Sequence, residues 1–247
     1  MTNDTRGKLM NAYELLFNDN EVNRLIDNVN YKLNEIINFV NKTTGICWIF
    51  CCHGKCHAMY VVDTVEYILR TLSYNEHIVM LGKIAGLLHD IGNICGRDDH
   101  ARIGGDMSVA LLNKTSLTLE DKHIIHQAIQ DHGTANNITS AVGAALIIAD
   151  KTDGTRERNT KYKDDLRRRG FYNEEELNKH DRKYGIDKVN VSVADNVITI
   201  NWIPYGDSQE YNNLKRSVKV DPRVVKAAEF LKCTVLYIFN GEEIELI

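Results

Sequence analysis

Proline and long apolar runs are scarce in this chain, and both scarcities limit what it can be. The two prolines, Pro204 and Pro222, lie in the last quarter of the 247 residues, so no proline interrupts helices before them. Apolar stretches such as AALIIA are far shorter than the roughly 20 residues that span a bilayer. The N-terminus, MTNDTRGKL, lacks the charged-then-apolar pattern of a signal sequence. We therefore expect a cytoplasmic protein.

The chain also lacks an excess of basic residues and a cysteine spacing typical of disulfides. It has 30 Lys and Arg against 34 Asp and Glu, whereas proteins that coat nucleic acid usually present a basic face. Cys47, Cys51, Cys52 and Cys56 lie close together, and the segment CCHGKCH has no second, separated pair of cysteines such as structural zinc sites use. We expect reduced thiols, and neither a membrane nor an extended nucleic acid as partner.

The chain contains the patterns of a helical globular body. Its composition, 43% hydrophobic and 26% charged, is that of a protein with a sizeable core. Apolar residues recur at helical spacing over residues 6–40, 57–72 and 76–89. Thr118 with Asp121 forms a capping-box pattern before another apolar helix. These patterns predict a mainly α-helical domain.

The pattern changes after Gly185. The segment KVNVSVADNVITINWI alternates apolar and polar residues around Asp195-Asn196, which predicts a β-hairpin. DPRVVKAAEFLK predicts a helix that begins with Pro222 after an Asp221 cap. TVLYIF and the end of NGEEIELI predict two further strands. We therefore predict a helical domain over residues 1–185 and a small α+β accessory module, ββαβ-like in order, over residues 186–247.

Several side chains that can bind a metal lie at or near the ends of the predicted helices. His89 and Asp90 close an apolar helix, and Asp150 follows six apolar residues, where an unpaired polar group is costly. The full set is His57, His89, Asp90, His100, His132 and Asp150. Imidazoles and carboxylates on different helices can converge on a divalent cation, and this mixture favours Mn, Fe, Co, Ni or Mg over a thiolate zinc site. A simple hydrogen-bonded pair at a helix end is the alternative for His89 and Asp90.

The order of these residues resembles a known signature. His57, then His89-Asp90, then Asp150 is similar to the H…HD…D pattern of the HD-domain metal-dependent phosphohydrolases, and LLHDIGN and IIADK are similar to family forms of two of its motifs. The resemblance covers roughly residues 50–155. It implies an HD-type helical bundle with metal in its middle and hydrolysis of a phosphate ester or anhydride, often of a nucleotide.

The resemblance also implies how the metal is held. One ion would be held by His57, His89, Asp90 and Asp150. His100 and His132 match the additional histidines of the subgroups that bind two ions, and Asp90 would bridge the two. The family often has a doubled histidine where this chain has Asp131-His132.

Two other histidines are less easily placed. His126 lies six residues before His132 on the same predicted helix, so the two point roughly 240° apart and should not share an ion. His53 lies four residues before His57, and we expect it at the surface, with a supporting contact to His57 as the alternative.

The expected mechanism needs positive side chains beside the metal. A divalent cation activates bound water to hydroxide near neutral pH, and two cations about 3.5–4 Å apart would also clamp the phosphoryl oxygens. Lys and Arg are the usual partners of phosphate. The candidates for substrate binding are Lys151, Arg156, Arg158 and Arg97, with a solvated basic loop as the alternative for the first three. Among these and the metal ligands, we assign catalytic roles to Asp90 and Lys151.

Two other classes of function stay open. A regulatory module could keep the metal site and sense nucleotides without turning them over, and a helical protein–protein adaptor could carry these histidines by chance. The expected partner is a phosphorylated small molecule, with nucleoside monophosphates, dinucleoside polyphosphates, cyclic dinucleotides and alarmones all open, and a homodimer is left open as well.

Overall fold

The structure is a computed structural model that describes residues 12–27, 29, 53–155, 158, 186–205 and 221–244. Residues 12–18 and 20–27 are helical, within the predicted helix over residues 6–40. The following helices are α1 (Lys55–Thr71), α2 (Glu76–Leu88), a 3-10 turn (Ile91–Cys95), α3 (His100–Leu112), α4 (Leu119–Asp131) and α5 (Ala141–Thr152). The predicted helices over residues 57–72 and 76–89 are thus confirmed.

Short polar side chains fix where several helices begin. The predicted capping box is present: the backbone N–H of Asp121 donates to Thr118 Oγ1 at 3.1 Å, and the N–H of Thr118 donates to Asp121 Oδ2 at 3.1 Å. Ser140 accepts from the N–H of Gly143 and so caps α5. These contacts satisfy N–H groups that have no partner inside the helix.

The core of the helical body is organised around α5. This helix contacts α1, α2 and α4, and Val142 to Asp150 are all buried. Among the described residues, one segment, Glu76–Cys95, is long and apolar enough to cross a membrane, but 78% of its apolar window is buried inside the protein. That burial is typical of the core helix of a soluble domain.

The C-terminal module has the predicted order of elements, including the short last strand. It consists of β1 (Ile186–Ala194), β2 (Val197–Pro204), α6 (Pro222–Phe230), β3 (Thr234–Phe239) and β4 (Glu242–Glu243), in the sheet order β1-β2-β3-β4. Asp195 and Asn196 both have positive φ, as a tight hairpin turn requires. β3 pairs parallel to β2, so the chain must cross over between them, and α6 lies in that crossover. The mainly α fold with a small α+β module is confirmed.

The module packs against the helical body on the side of α5. Helix α6 contacts α5, and the buried residues Val224, Ala227 and Ala228 belong to the same apolar core as the helical body. Hydrogen bonds between described residues join the parts as well: Arg223 Nη1 donates to the Gly133 carbonyl at 2.8 Å, and the N–H of Val193 donates to the Tyr67 hydroxyl at 3.4 Å. The helix that carries Asp150 therefore has the module packed along it.

Candidate metal centre

The six side chains singled out as metal ligands lie together inside the helical body. His57 comes from α1, His89 and Asp90 from the end of α2, His100 from the start of α3, His132 from the end of α4, and Asp150 from α5. The imidazole rings follow one another in a row, with centroids 5.1–5.2 Å apart in the order His57, His89, His132, His100. All but His100 are buried.

Backbone carbonyls orient three of the four imidazoles. In each case Nδ1 donates to the carbonyl three residues earlier in the chain. The pairs are His89 with Gly86 at 2.8 Å, His100 with Arg97 at 2.8 Å and His132 with Ile129 at 2.5 Å. A carbonyl oxygen can only accept, so Nδ1 carries the proton, and in the neutral ring Nε2 presents a lone pair.

A carboxylate orients the fourth imidazole in the same way. His57 Nδ1 donates to Asp153 Oδ2 at 2.7 Å, and both side chains are buried. Burial alone raises the pKa of Asp153, but the hydrogen bond from His57 and the charge of Arg158 outweigh it and lower that pKa. The ionised carboxylate therefore holds the Nδ1 proton of His57 and leaves its Nε2 available to a metal.

The Nε2 atoms face one another in two pairs. His57 and His89 are 3.3 Å apart at Nε2, and His100 and His132 are 3.2 Å apart. Burial lowers the pKa of His132 to about 3, and burial, followed by the charge of Arg97, lowers that of His100. Both rings are then neutral near pH 7, and two lone pairs meet with no proton between them. A cation between the two nitrogens removes this conflict, so the donor set fits a metal ion.

The two oxygens of Asp90 divide between these pairs. Oδ2 lies 3.3 Å from His89 Nε2 and 3.6 Å from His57 Nε2, whereas Oδ1 lies 3.9 Å from His132 Nε2 and 4.0 Å from His100 Nε2. Asp150 joins only the first pair, with Oδ1 3.2 Å from His57 Nε2 and 3.8 Å from that of His89. We call these the first set (His57, His89, Asp150 and Asp90 Oδ2) and the second set (His100, His132 and Asp90 Oδ1).

Both aspartates are held ionised by neighbours. Burial alone would raise the pKa of Asp90, but the rings of His53 and His89 outweigh it and hold that pKa well below its usual value. Asn93 Nδ2 also donates to Asp90 Oδ1 at 2.6 Å. Burial alone would also raise the pKa of Asp150, but the charge of Lys151, whose Nζ lies 2.5 Å from Oδ2, is the largest of the effects that hold that pKa well below its usual value. Carboxylates charged in this way can neutralise a bound cation. The carboxylates in turn raise the pKa of His89 despite its burial.

A close backbone approach brings the second set to the HD pair. A Cβ on Gly92 would lie 2.0 Å from the carbonyl oxygen of His100 and 2.4 Å from the backbone nitrogen of Gly104. Only glycine therefore lets the turn after Asp90 lie against the first turn of α3. Because of this contact, Asp90 and His100 can reach the same site although they are ten positions apart in the sequence.

The expectation that His53 lies at the surface is wrong. His53 is 5% exposed, and its Nδ1 donates to Asp90 Oδ2 at 2.5 Å. Burial lowers its pKa to about 3, so the ring is neutral, and Arg97 Nη1 lies 3.5 Å from its Nε2. His53, His57 and Asp90 form a further group close enough to share a metal ion. The four-residue spacing between His53 and His57 was the sequence signal that pointed to a role for His53 at the site. In the structure, however, His53 contacts Asp90 of the HD pair.

Asn93 and Asp153 were not singled out from the sequence. Each lies three residues after an aspartate of the site, Asn93 after Asp90 and Asp153 after Asp150, so a helical turn places it on nearly the same face. This spacing was a usable signal. Without the fold, however, a polar residue just beyond a helix end is indistinguishable from a solvated one.

The proposed phosphate contacts occupy different places around the site. Lys151 pairs with Asp150, and its side chain is 12% exposed. Arg97 contacts His53 and Asn93, and Arg158 donates to the carbonyl of Asp153 and lies 3.3 Å from His53 Nδ1. Arg156 lies outside the described residues.

Among the described residues, His126 and Cys56 belong to neither of the two sets. His126 Nε2 is 3.2 Å from Asp106 Oδ1, and neither set includes it. Cys56 is exposed, whereas Cys47, Cys51 and Cys52 lie outside the described residues.

Comparison with known proteins gives one similarity. The chain is similar to a solved crystal structure described as a "predicted HD superfamily hydrolase", from an uncultured Thermotogales bacterium. The identity is 23%, the TM-score is 0.37, and the match covers 51% of this chain and 67% of that chain. No protein-family profile and no curated protein matches the chain. The superfamily named for the solved structure is the one that His57, His89-Asp90 and Asp150 resemble in the sequence.

Proposed function

We propose that this protein is a metal-dependent hydrolase that cleaves a phosphate ester or anhydride, with a nucleotide as substrate. One observation carries the proposal: four imidazoles have Nδ1 bonded to a fixed acceptor and turn Nε2 toward one another around Asp90. Neutral nitrogens beside ionised carboxylates are the donors that divalent cations need. Mn, Fe, Co, Ni and Mg stay candidates, and the preponderance of imidazole favours a transition metal over Mg²⁺.

The two sets give each ligand a role. The first set offers four donor atoms and would hold one ion, the second set would hold another, and the carboxylate of Asp90 would contribute one oxygen to each. A bound ion supplies an activated water and positive charge beside the phosphoryl oxygens. The structure supports this division because Asp90 Oδ1 and Oδ2 face different imidazole pairs.

The other residues of the site orient the metal ligands and supply positive charge beside them. Asp153 keeps the Nδ1 proton of His57 in place, and His53 donates to Asp90, so both ligands are fixed in direction. Lys151 provides a cation beside Asp150 that can contact a substrate phosphate. Arg97 and Arg158 remain candidates for the same role, although both also contact groups of the protein.

The nucleotide part of the proposal rests on the resemblance to the HD-domain phosphohydrolases. The cytoplasmic location is likewise proposed from the sequence. A nucleotide-sensing module without turnover is the competing function, because it would use the same ligands and the same cations.

Turnover and metal content together test the proposal. Purified protein with added Mn²⁺ is expected to hydrolyse at least one member of a nucleotide panel, with release of phosphate, a nucleoside or a smaller nucleotide. Asp90→Ala is expected to lose both activity and metal while its helical circular dichroism persists. Asp106→Ala is the matched control, because Asp106 is an exposed aspartate on α3 outside both sets.

Each outcome has a distinct meaning. Bound metal without turnover across the panel would leave the sensing module as the function. Full metal content in Asp90→Ala would show that Asp90 is not a ligand and would contradict the proposed site.

A further inference from the structure

We infer that Arg223, in the C-terminal module, is a positioning residue for the second set, so that metal binding there depends on a residue outside the helical body that carries the ligands. The inference rests on the proposed function, since it takes His100 and His132 to bind metal. Its basis is a contact between α6 and the end of α4.

Arg223 holds the backbone next to a histidine of the second set. Its Nη1 donates at 2.8 Å to the carbonyl of Gly133, which directly follows His132. A Cβ on Gly133 would lie 3.3 Å from Ala101 Cβ and 4.0 Å from His100 Cε1. The carbonyl that Arg223 holds therefore belongs to the residue that follows His132 and that lies close to the ring of His100.

The contact acts on the turn that orients His132. Helix α4 ends at Asp131, and His132 Nδ1 donates to the carbonyl of Ile129 in the last turn of that helix. Carbonyls at and just beyond a helix C-terminus have no partner within the helix, and a guanidinium there supplies both a donor and a favourable positive charge. Without Arg223 this turn loses a charge-assisted hydrogen bond, and the direction of His132 Nε2 becomes less well defined.

The pairing of Arg223 with Asp221 indicates that Arg223 holds the protein backbone and does not bind a substrate phosphate. The Asp221 carboxylate accepts from Nε at 2.9 Å and from Nη2 at 2.5 Å, which occupies the edge of the guanidinium that would otherwise grip a phosphate. Asp221 also accepts from the N–H of Arg223 and so caps α6. The guanidinium is thus fixed to the helix end, and the helix is fixed by the burial of Val224 and Ala227 against the core.

Stepwise binding of Mn²⁺ to the metal-free full-length protein tests the inference. Wild type is expected to bind two ions in calorimetry. Arg223→Ala is expected to weaken the binding of one ion by about 10-fold or more, since outer contacts of ligating side chains typically contribute about 10–100-fold. The other ion should bind as in wild type. Arg223→Lys, which keeps a charged donor, should recover part of the loss.

Lys226→Ala is the matched control. Lys226 is an exposed cation on the same helix, so this variant removes the same charge without touching Gly133. It is expected to bind both ions like wild type. Circular dichroism and the melting temperature of each metal-free variant report whether the fold persists.

The failures of the two proposals are distinguishable. Two ions bound with unchanged affinity in Arg223→Ala would overturn the inference and leave the proposed function intact. Equal weakening of both ions, or no recovery in Arg223→Lys, would also overturn it, because the effect would then be general destabilisation. A single ion in wild type would overturn both this inference and the two-ion site. No ion in wild type would contradict the proposed function itself.

Discussion

Replacing His100 and His132 together with alanine is expected to remove one metal ion and leave the other. The two histidines supply the nitrogen donors of the second set, and their Nε2 atoms are 3.2 Å apart. After the double substitution, that set keeps only Asp90 Oδ1 among the side chains described here. The first set keeps all four of its donor atoms.

The size of the loss can be bounded from below. Removing an outer contact of a ligating side chain costs about 10–100-fold in metal affinity, and removing the ligand itself should cost at least as much. Two ligands then correspond to roughly 10²–10⁴-fold, or about 3–6 kcal/mol at 1.4 kcal/mol per tenfold. At micromolar protein after desalting, such a change is expected to empty the second set.

Metal content by mass spectrometry, after saturation with Mn²⁺ and desalting, is the primary assay. Wild type should retain about two ions per chain and His100→Ala/His132→Ala about one, in line with the two-ion arrangement. Turnover should fall by far more than half, because the proposed reaction needs both ions. His123→Ala/His126→Ala is the matched control: it removes two histidines from α4, neither of which belongs to the two sets.

Two results would refute this reasoning. One ion per wild-type chain at saturating Mn²⁺ would leave a mononuclear site formed by the first set. Two ions retained by the double variant would show that His100 and His132 are not ligands, whatever the activity.

Two further predictions concern charge. Lys151→Ala is expected to lower turnover about tenfold or more, the cost of losing a charge-assisted contact of about 1.5–3 kcal/mol, while metal content stays near that of wild type; unchanged turnover would make Lys151 an ordinary partner of Asp150. In the metal-free protein, burial lowers the pKa of His132 from 6.5 to about 3. Its contribution to stability is therefore present above pH 6.5 and is lost as the pH falls from there toward 3. Urea unfolding with a chelator should show a decrease between pH 7 and pH 5 that is about 2 kcal/mol larger in wild type than in His132→Gln, and equal decreases would contradict this assignment.

The fold was predictable where a local rule decides the structure. Thr118, Ser140 and Asp221 cap the helices that follow them because their side chains meet N–H groups two or three residues ahead. The alternation around Asp195-Asn196 determines a hairpin in the same local way. The parallel pairing of β2 with β3 follows no such rule, since alternation identifies a strand but not the neighbour it pairs with.

The site was predictable to the extent that burial forces polar groups to find partners. Asp150 follows six apolar residues near the end of a buried helix, so its carboxylate had to meet a cation or a donor. His53 was misplaced because it precedes α1, where the sequence gives no periodicity to orient it, and its partner Asp90 lies 37 residues away. Whether such a residue is buried depends on which helix packs over it, and that is a property of the tertiary fold.

The hydrogen-bonding needs of helix ends explain why candidate metal ligands lie at the ends of the predicted helices. His89 and His132 are the C-caps of α2 and α4, and each donates Nδ1 to a carbonyl of the last turn of its own helix, Gly86 or Ile129. Those carbonyls have no partner within the helix, so one hydrogen bond both completes the helix end and fixes the tautomer. Nε2 must then point away from the helix, into the space where α1, α3 and α5 bring the other donors. A histidine in the middle of a helix has no such free carbonyl, and His126, which lies there, turns to Asp106 instead.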